Sequence, residues 1–312
     1  MRYSPLRYPG GKNKLAAFIA KICIDNNING HYVEPYSGGS SVALFLLLEG
    51  YVDRITINDK DRSIYAFWHS VLNNTKALIE KIENAELTIE EWKRQREVQS
   101  EKNRADLLEL GFSTFYLNRT CRSGIITGGV IGGYAQDGDY RMNCRFNKED
   151  LVNRIKLIAS KKKKIRLYKK DAIKLIDKIE NEADGENTLI YFDPPYYYKA
   201  DSLYMNFYQH GDHEKVGERI QAIEGIKWVV SYDNVPEIKE IFRNFPCKDF
   251  QFIHTAFQSR EGKEVMFFGN NIQLPKEKKW DPIGFRKYAN SNEIYYEAPS
   301  NLRKKRRLVM NS

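Results

Sequence analysis

Cysteine is scarce, and what there is does not cluster. The 312-residue chain holds Cys23, Cys121, Cys144 and Cys247. None forms a Cys-x-x-Cys pair, and none joins a histidine at zinc-ligand spacing. Free thiols are therefore expected, and no metal site is. No apolar run reaches membrane length; Val42 to Leu48 is far too short to span a bilayer. A signal-peptide pattern is also missing. Two nucleotide fingerprints are absent as well. No Gly-x-x-x-x-Gly-Lys-Ser/Thr follows a strand, and no full Gly-x-Gly-x-x-Gly occurs. There is no internal repeat and no low-complexity tract. The reading that survives is an intracellular, cytoplasmic, soluble protein with no membrane partner.

What is present is positive charge. Fifty Lys and Arg stand against 41 Asp and Glu, a formal +9. That balance favours a polyanionic partner. Hydrophobic residues at 42% suffice for a packed core, and the length allows one large domain with a sizeable insertion. Aromatics are plentiful, as in proteins that stack on bases, although core packing accounts for most of them.

The chain is organised around Asp193-Pro194-Pro195-Tyr196. It follows an apolar run, Thr188 to Phe192, which reads as a buried parallel strand. Proline lacks the ladder donor and restricts the residue before it, so the strand must end there. A stiff polar and aromatic corner then projects from the carboxyl edge of the sheet, where α/β proteins bind ligands. Asp193 and the Pro194 carbonyl can each accept one hydrogen of an exocyclic amino group, and Tyr196 can stack on its ring. The bland alternative is a Pro-Pro turn with an Asp cap.

Upstream, Arg7-Tyr8-Pro9-Gly10-Gly11-Lys12 precedes a helical segment, Asn13 to Ile24. It aims Lys12 at a negative group. His31 to Pro35 reads as a strand, followed by Tyr36-Ser37-Gly38-Gly39-Ser40-Ser41 and an apolar helix, Val42 to Leu48. Strand, glycine turn and helix N-terminus suit a ligand with an anionic end. A second strand, Arg54 to Asn58, ends in Asp59, placed to hold ribose hydroxyls. A helix cap for the segment near Ser63 is the competing role for Asp59.

From Arg62 to about Ile158 the pattern changes. Ile64 to Lys81 and Thr88 to Arg104 read as helices. Gly111 to Arg122 is aromatic and basic, and Gly124 to Tyr134 is dense in glycine, marking a hairpin or flexible loop. Asn118, Arg119, Arg122, Arg141, Arg145 and Lys148 surround it. A two-stranded ribbon there could enter the major groove while arginines clamp phosphates. A surface loop with solvated charge is the alternative.

Ile165 to Tyr168 follows a run of four lysines and reads as a strand, with Asp171 just beyond it. Asp171 could accept from an adenine amino group or cap the next helix. Trp228 to Tyr232, Asp249 to His254 and Val265 to Phe268 complete seven strand candidates. Ser231, Tyr232 and Asp233 border the expected pocket, and Gln258 to Lys263 reads as a hairpin turn. His213 is expected to open a helix over Glu214 to Ile223. The tail from Pro275 is polar and ends near a basic cluster, Arg303 to Arg307.

In this order the pieces resemble the Dam-type N6-adenine DNA methyltransferases: Tyr8-Pro9-Gly10-Gly11-Lys12, Glu34-Pro35-Tyr36-Ser37-Gly38-Gly39-Ser40, Asn58-Asp59, Asn118-Arg119, Arg145-Phe146-Asn147-Lys148 and Asp193-Pro194-Pro195-Tyr196. The resemblance runs from about Arg7 to Asn270. It implies a Rossmann-like α/β fold with a mixed, mostly parallel seven-stranded sheet and a helical or hairpin target-recognition insertion. Residues 1–62 and 159–275 would form the catalytic part, 63–158 the insertion and 276–312 a basic tail. The implied cofactor is S-adenosylmethionine. Tyr8, Lys12, Glu34, Pro35, Ser37, Gly38, Gly39, Ser40, Asp59 and Asp171 are its expected contacts.

The implied reaction is methyl transfer to N6 of an adenine turned out of double-stranded DNA. Asp193, Pro194, Pro195 and Tyr196 are the expected catalytic group. A monomer is expected, with a cognate restriction endonuclease as the partner class if the enzyme protects DNA. Two departures stand out: Ser-Gly-Gly-Ser in place of Gly-x-Gly, and an insert unlike the recognition hairpin of GATC-methylating members. The alternatives are a methyltransferase for another planar amino group, such as cytosine N4 or RNA adenine, and a catalytically silent DNA-binding module.

Overall fold

The structure, a computed structural model, describes residues 3–7, 12–198, 208–254, 260–269, 272–275, 282–283 and 285. Seven strands form one sheet: β1 His31–Glu34, β2 Arg54–Asn58, β3 Ile165–Tyr168, β4 Thr188–Phe192, β5 Lys227–Asp233, β6 Cys247–His254 and β7 Arg260–Phe268. Their order is β3-β2-β1-β4-β5-β7-β6. The first five are mutually parallel, and β7 runs antiparallel between β5 and β6. This is the mixed, mostly parallel sheet that the sequence predicts. The hairpin turn expected between β6 and β7 lies partly outside the described residues.

Both faces of the sheet are covered, which is why β1 and β4 are buried along their whole length. Side chains alternate between two cores. Tyr32, Leu189, Tyr191 and Val229 join one with α1 (Ala16–Asp25) and α2 (Ser41–Leu48). Val33, Ile190, Phe192 and Val230 join the other with α8 (Ala172–Glu182), α9 (His210–Gln221) and α10 (Pro236–Ile241). The carboxyl ends of β1, β2, β4 and β5 meet along one edge. Because β7 is antiparallel, its register sets Glu264 opposite Asp233 at that same edge.

The segment between β2 and β3 is helical: α3 Arg62–Asn73, α4 Thr75–Glu83, α5 Ile89–Ser100, α6 Leu107–Thr120 and α7 Lys148–Ala159. Three expectations change here. The helix read over Ile64 to Lys81 is two helices, broken at Asn74. Gly111 to Arg122, read only as an aromatic and basic stretch, lies largely within α6, which is buried from Leu110 to Thr120. The ribbon expected in the glycine-dense segment is not formed. A single bridge, Cys121 to Val130, stands where a ladder was expected. Gly124, Gly132, Gly133, Ser123 and Gln136 take positive φ there, which turns the chain too often for a strand.

Among the described residues, this helical segment shares its core with the sheet. Phe67, Trp68, Phe115 and Leu151 belong to the same apolar cluster as Phe18 and Leu44. Near the carboxyl terminus Phe285 is fully buried, and its ring meets Phe18 edge-on at 5.6 Å. Among the described residues no helix is long and apolar enough to cross a membrane.

Candidate active site

The site begins where β1 runs into α2. Ser37 N–H donates to Asn58 O at 2.9 Å, and Asn58 Nδ2 donates to Pro35 O at 2.8 Å, tying the tips of β1 and β2 together. Gly38 and Ser40 take positive φ, so the chain doubles back before α2 starts. Trp68 of α3 donates to Gly38 O at 2.9 Å. The insertion thus braces the glycine turn. Among the described residues, three polar atoms in this turn region are buried without a hydrogen-bond partner: Glu34 Oε2, Ser37 Oγ and Ser40 Oγ. Buried polar atoms are almost always paired, so three together make this turn a candidate ligand site. Glu34 Oε1 is occupied, accepting from Ala43 N–H at 3.0 Å and Tyr32 OH at 3.2 Å. Burial raises the Glu34 carboxyl to about 8.

Asp59 accepts Gly38 N–H through one oxygen and Asp61 N–H through the other, each at 3.0 Å. Burial, with Asp61 nearby, raises its carboxyl to about 7. Asp61, and not Asp59, caps α3. Asp171 caps α8 and pairs with Lys60 at 3.0 Å. Tyr36 and Tyr208 share a hydroxyl contact at 2.9 Å beside the same edge. Gly39 lies buried in the turn, whereas Tyr8 falls outside the described residues.

The Asp193 corner projects from β4 as expected. Asp193 Oδ1 accepts from Ser231 Oγ at 3.1 Å and lies 3.3 Å from Lys12 Nζ. Among the described residues no hydrogen bond reaches Oδ2, and the side chain is 23% exposed. One oxygen is anchored, and the other is left without a hydrogen bond among the described residues. Burial raises the Asp193 carboxyl to about 6; Lys12 opposes that shift and Glu264 adds to it. Downstream, Asp233 accepts Tyr197 N–H at 2.9 Å and Tyr198 N–H at 3.3 Å, fixing the chain that leaves the corner.

Several expected contacts take other roles. The negative groups that Lys12 faces are the protein's own carboxylates, Asp193 and Glu264. Tyr196 is 1% exposed, and its hydroxyl is held by Lys12 and Glu264, so its ring is not presented as a stacking face. Asn118, expected on DNA, is buried; it accepts Arg7 N–H at 2.6 Å and donates to Arg7 O and Gly124 O at 2.7 and 2.8 Å. Arg119 is likewise buried, its guanidinium on Pro5 O. Lys148 donates to Glu83 O and Ala85 O at the end of α4, at 2.8 and 2.9 Å. Arg122, Arg141 and Arg145 are exposed. Glu264 was not legible in the sequence; its one signal is an acidic residue directly before the apolar run Val265 to Phe268.

The strand order, with β7 antiparallel between β5 and β6, defines a Rossmann-like α/β fold. Residues 8–256 match the D12 class N6 adenine-specific DNA methyltransferases, and the chain belongs to that family. It is 26% identical over 206 residues to the Type II methyltransferase M.MjaIII of Methanocaldococcus jannaschii, covering 61% of this chain and 68% of that one. Among solved structures it is similar to a SAM-dependent methyltransferase from Agrobacterium tumefaciens, with TM-score 0.37 and 9% identity. That match covers 81% of this chain and 62% of the other. The rRNA methyltransferase aviRa from Streptomyces viridochromogenes gives TM-score 0.35 at 12% identity over 84% of this chain and 86% of its own.

Proposed function

We propose that this chain transfers a methyl group from S-adenosylmethionine to N6 of an adenine turned out of double-stranded DNA. The observation that carries this is Asp193, with Oδ1 anchored by Ser231 and Lys12, Oδ2 without a hydrogen bond among the described residues and the side chain 23% exposed. An adenine amino nitrogen is a poor nucleophile because its lone pair is delocalised into the ring. Accepting its hydrogens at Asp193 and at the Pro194 carbonyl localises that pair and orients it. Rate enhancement then comes from positioning and a preorganised electrostatic site.

The cofactor, when bound, supplies an electrophilic methyl group. The residues suited to hold it are Glu34, Ser37, Gly38, Gly39 and Ser40, with Asp59 and Asp171 beyond. The orphaned Glu34 Oε2 suits a cationic amino group, and the Ser37 and Ser40 hydroxyls suit a carboxylate. Tyr8 is a further proposed contact. In this reading Pro195 stiffens the corner, and Arg122, Arg141 and Arg145 meet the phosphates. Residues 1–62 and 159–275 act as the catalytic part around the recognition insertion 63–158, and 276–312 serves as a basic tail. A cognate restriction endonuclease, a monomeric state and a cytoplasmic setting belong to the same proposal.

The test is single-molecule sequencing of DNA from a methylation-free host expressing the chain or its Asp193→Ala variant. N6-methyladenine in one short context, absent from the variant, is the expected result. A wild-type protein that binds cofactor yet leaves DNA unmodified would overturn the reading.

A further inference from the structure

Lys12 Nζ is shared. It lies 2.8 Å from Glu264 Oε2, 3.3 Å from Asp193 Oδ1 and 2.5 Å from the Tyr196 hydroxyl oxygen. Tyr196 in turn donates to Glu264 Oε1 at 2.5 Å. Lys12, Tyr196 and Glu264 therefore close a ring: the ammonium donates to the hydroxyl and to one carboxylate oxygen, and the hydroxyl donates to the other. All three are nearly excluded from solvent, Glu264 at 1% and Lys12 at 6% exposure. Among the described residues, two carboxylates share this one ammonium.

A buried acid outside the expected cofactor and substrate contacts calls for a reason, because isolated buried charge is costly. We propose that Glu264 is a positioning residue for the transfer: it takes the larger share of Lys12 and holds the Tyr196 hydroxyl, so that Asp193 stays oriented yet incompletely neutralised as the acceptor of the substrate amino group. This rests on the reading of Asp193 given above. A Lys12 paired to Asp193 alone would draw it into a tight ion pair and weaken it as an acceptor. A corner without Lys12 would leave the Asp193 carboxylate uncompensated. The Glu264 contact, half an ångström shorter than the Asp193 contact, sets the balance between these extremes.

Among the described residues, the titratable groups facing Asp193 are Lys12 from the turn Lys12–Leu15, Glu264 from β7, Glu34 from β1, Tyr191 from β4 and Tyr232 from β5. Tyr196 meets it through Lys12. Of these, Glu264 raises the Asp193 carboxyl and Lys12 lowers it. Removing either charge should move the acid limb of the transfer rate, in opposite directions.

The experiment is single-turnover transfer of a labelled methyl group to DNA across pH for wild type, Glu264→Gln, Glu264→Asp and Lys12→Met. Circular dichroism of each protein reports its folding. In Glu264→Gln the acid limb is expected to move down by about one pH unit, and the plateau rate to fall about tenfold or more. Glu264→Asp, which keeps the charge, should retain the wild-type limb, and Lys12→Met should move it up. An unmoved limb in folded Glu264→Gln, or shifts of the same sign in Glu264→Gln and Lys12→Met, overturns the proposal. If Glu264→Gln does not fold, the Lys12→Met limb decides: upward supports the proposal, and unmoved overturns it. A wild-type protein that makes no N6-methyladenine refutes the underlying reading instead, a distinct result.

Discussion

Asn118 grips Arg7 from both sides, accepting its N–H at 2.6 Å and donating to its carbonyl at 2.7 Å. With Arg119 on Pro5 O, the end of α6 anchors the chain that leads into Tyr8-Pro9-Gly10-Gly11. The helical segment between β2 and β3 therefore holds the chain on one side of the amino-terminal motif, and the pairing of Lys12 with Asp193 holds it on the other.

Asn118→Ala is accordingly expected to act on stability. It leaves Arg7 N–H, Arg7 O and Gly124 O short of a partner, and each unsatisfied buried group costs about 1–3 kcal/mol. Denaturant unfolding should report a loss of about 2 kcal/mol or more. The salt dependence of DNA binding should keep its wild-type slope, because no phosphate contact is removed. A slope reduced by about one would return Asn118 to the DNA interface.

Arg122, Arg141 and Arg145 are expected to behave the other way. They are exposed, so alanine at each should change stability by less than about 0.5 kcal/mol. Each substitution should weaken DNA binding and lower its salt slope by about one. Fluorescence anisotropy at several salt concentrations measures both. Wild-type slopes in all three variants would move the interface elsewhere.

The same contrast explains how far the sequence could be read. Strand β4 and the corner after it were legible because the apolar run Thr188 to Phe192 meets Asp193 and two prolines that cannot continue it, and β2 and β3 because Ile55 and Ile57, and Ile165 and Leu167, alternate with more polar residues. The α6 helix was not. It is buried around its whole circumference from Leu110 to Thr120, so no polar face gives it a helical period, and its Asn118 and Arg119 read as exposed DNA contacts. Arg119 is buried because it spans to Pro5, 114 positions away, a distance no local pattern carries. Glu264 was hidden for the same reason. Its partner Lys12 lies 252 positions upstream, and only the antiparallel insertion of β7 beside β5 brings it to the carboxyl edge.

Gly111 is a place where helix propensity and packing oppose each other. Alanine in a helix interior is normally favoured over glycine by about 1 kcal/mol. A Cβ at Gly111 would stand 2.4 Å from Ser70 Oγ and 2.6 Å from Ala66 O. The second neighbour is backbone and can yield only by moving α3 away from α6. Gly111→Ala should therefore destabilise by about 1–3 kcal/mol, read as a lowered denaturant midpoint. Because α3 also carries Trp68 onto Gly38 O, cofactor affinity should fall with it.

With Glu34 as the proposed cofactor contact, cofactor binding is expected to depend on pH. Burial holds its carboxyl at about 8, so below that pH it carries a proton in the free protein. A carboxyl raised in the folded state binds more protons there than in the unfolded chain. Stability from this group is therefore present at low pH and declines between the ordinary carboxylate range and about 8. If Oε2 receives the cationic amino group of the cofactor, binding must ionise the carboxyl and release that proton. Affinity should then rise with pH and level off near 8, with proton uptake by the buffer measurable by calorimetry in two buffers of different ionisation enthalpy. Glu34→Gln keeps the shape of the protonated side chain, and its Oε1 can still accept Ala43 N–H. It places an NH2 group where the orphaned oxygen stands, so cofactor affinity should drop about tenfold or more and lose its pH dependence, while folding is retained. Equal affinity and an equal pH slope in wild type and Glu34→Gln would remove Glu34 from the cofactor site and leave it as a buried brace between β1 and α2.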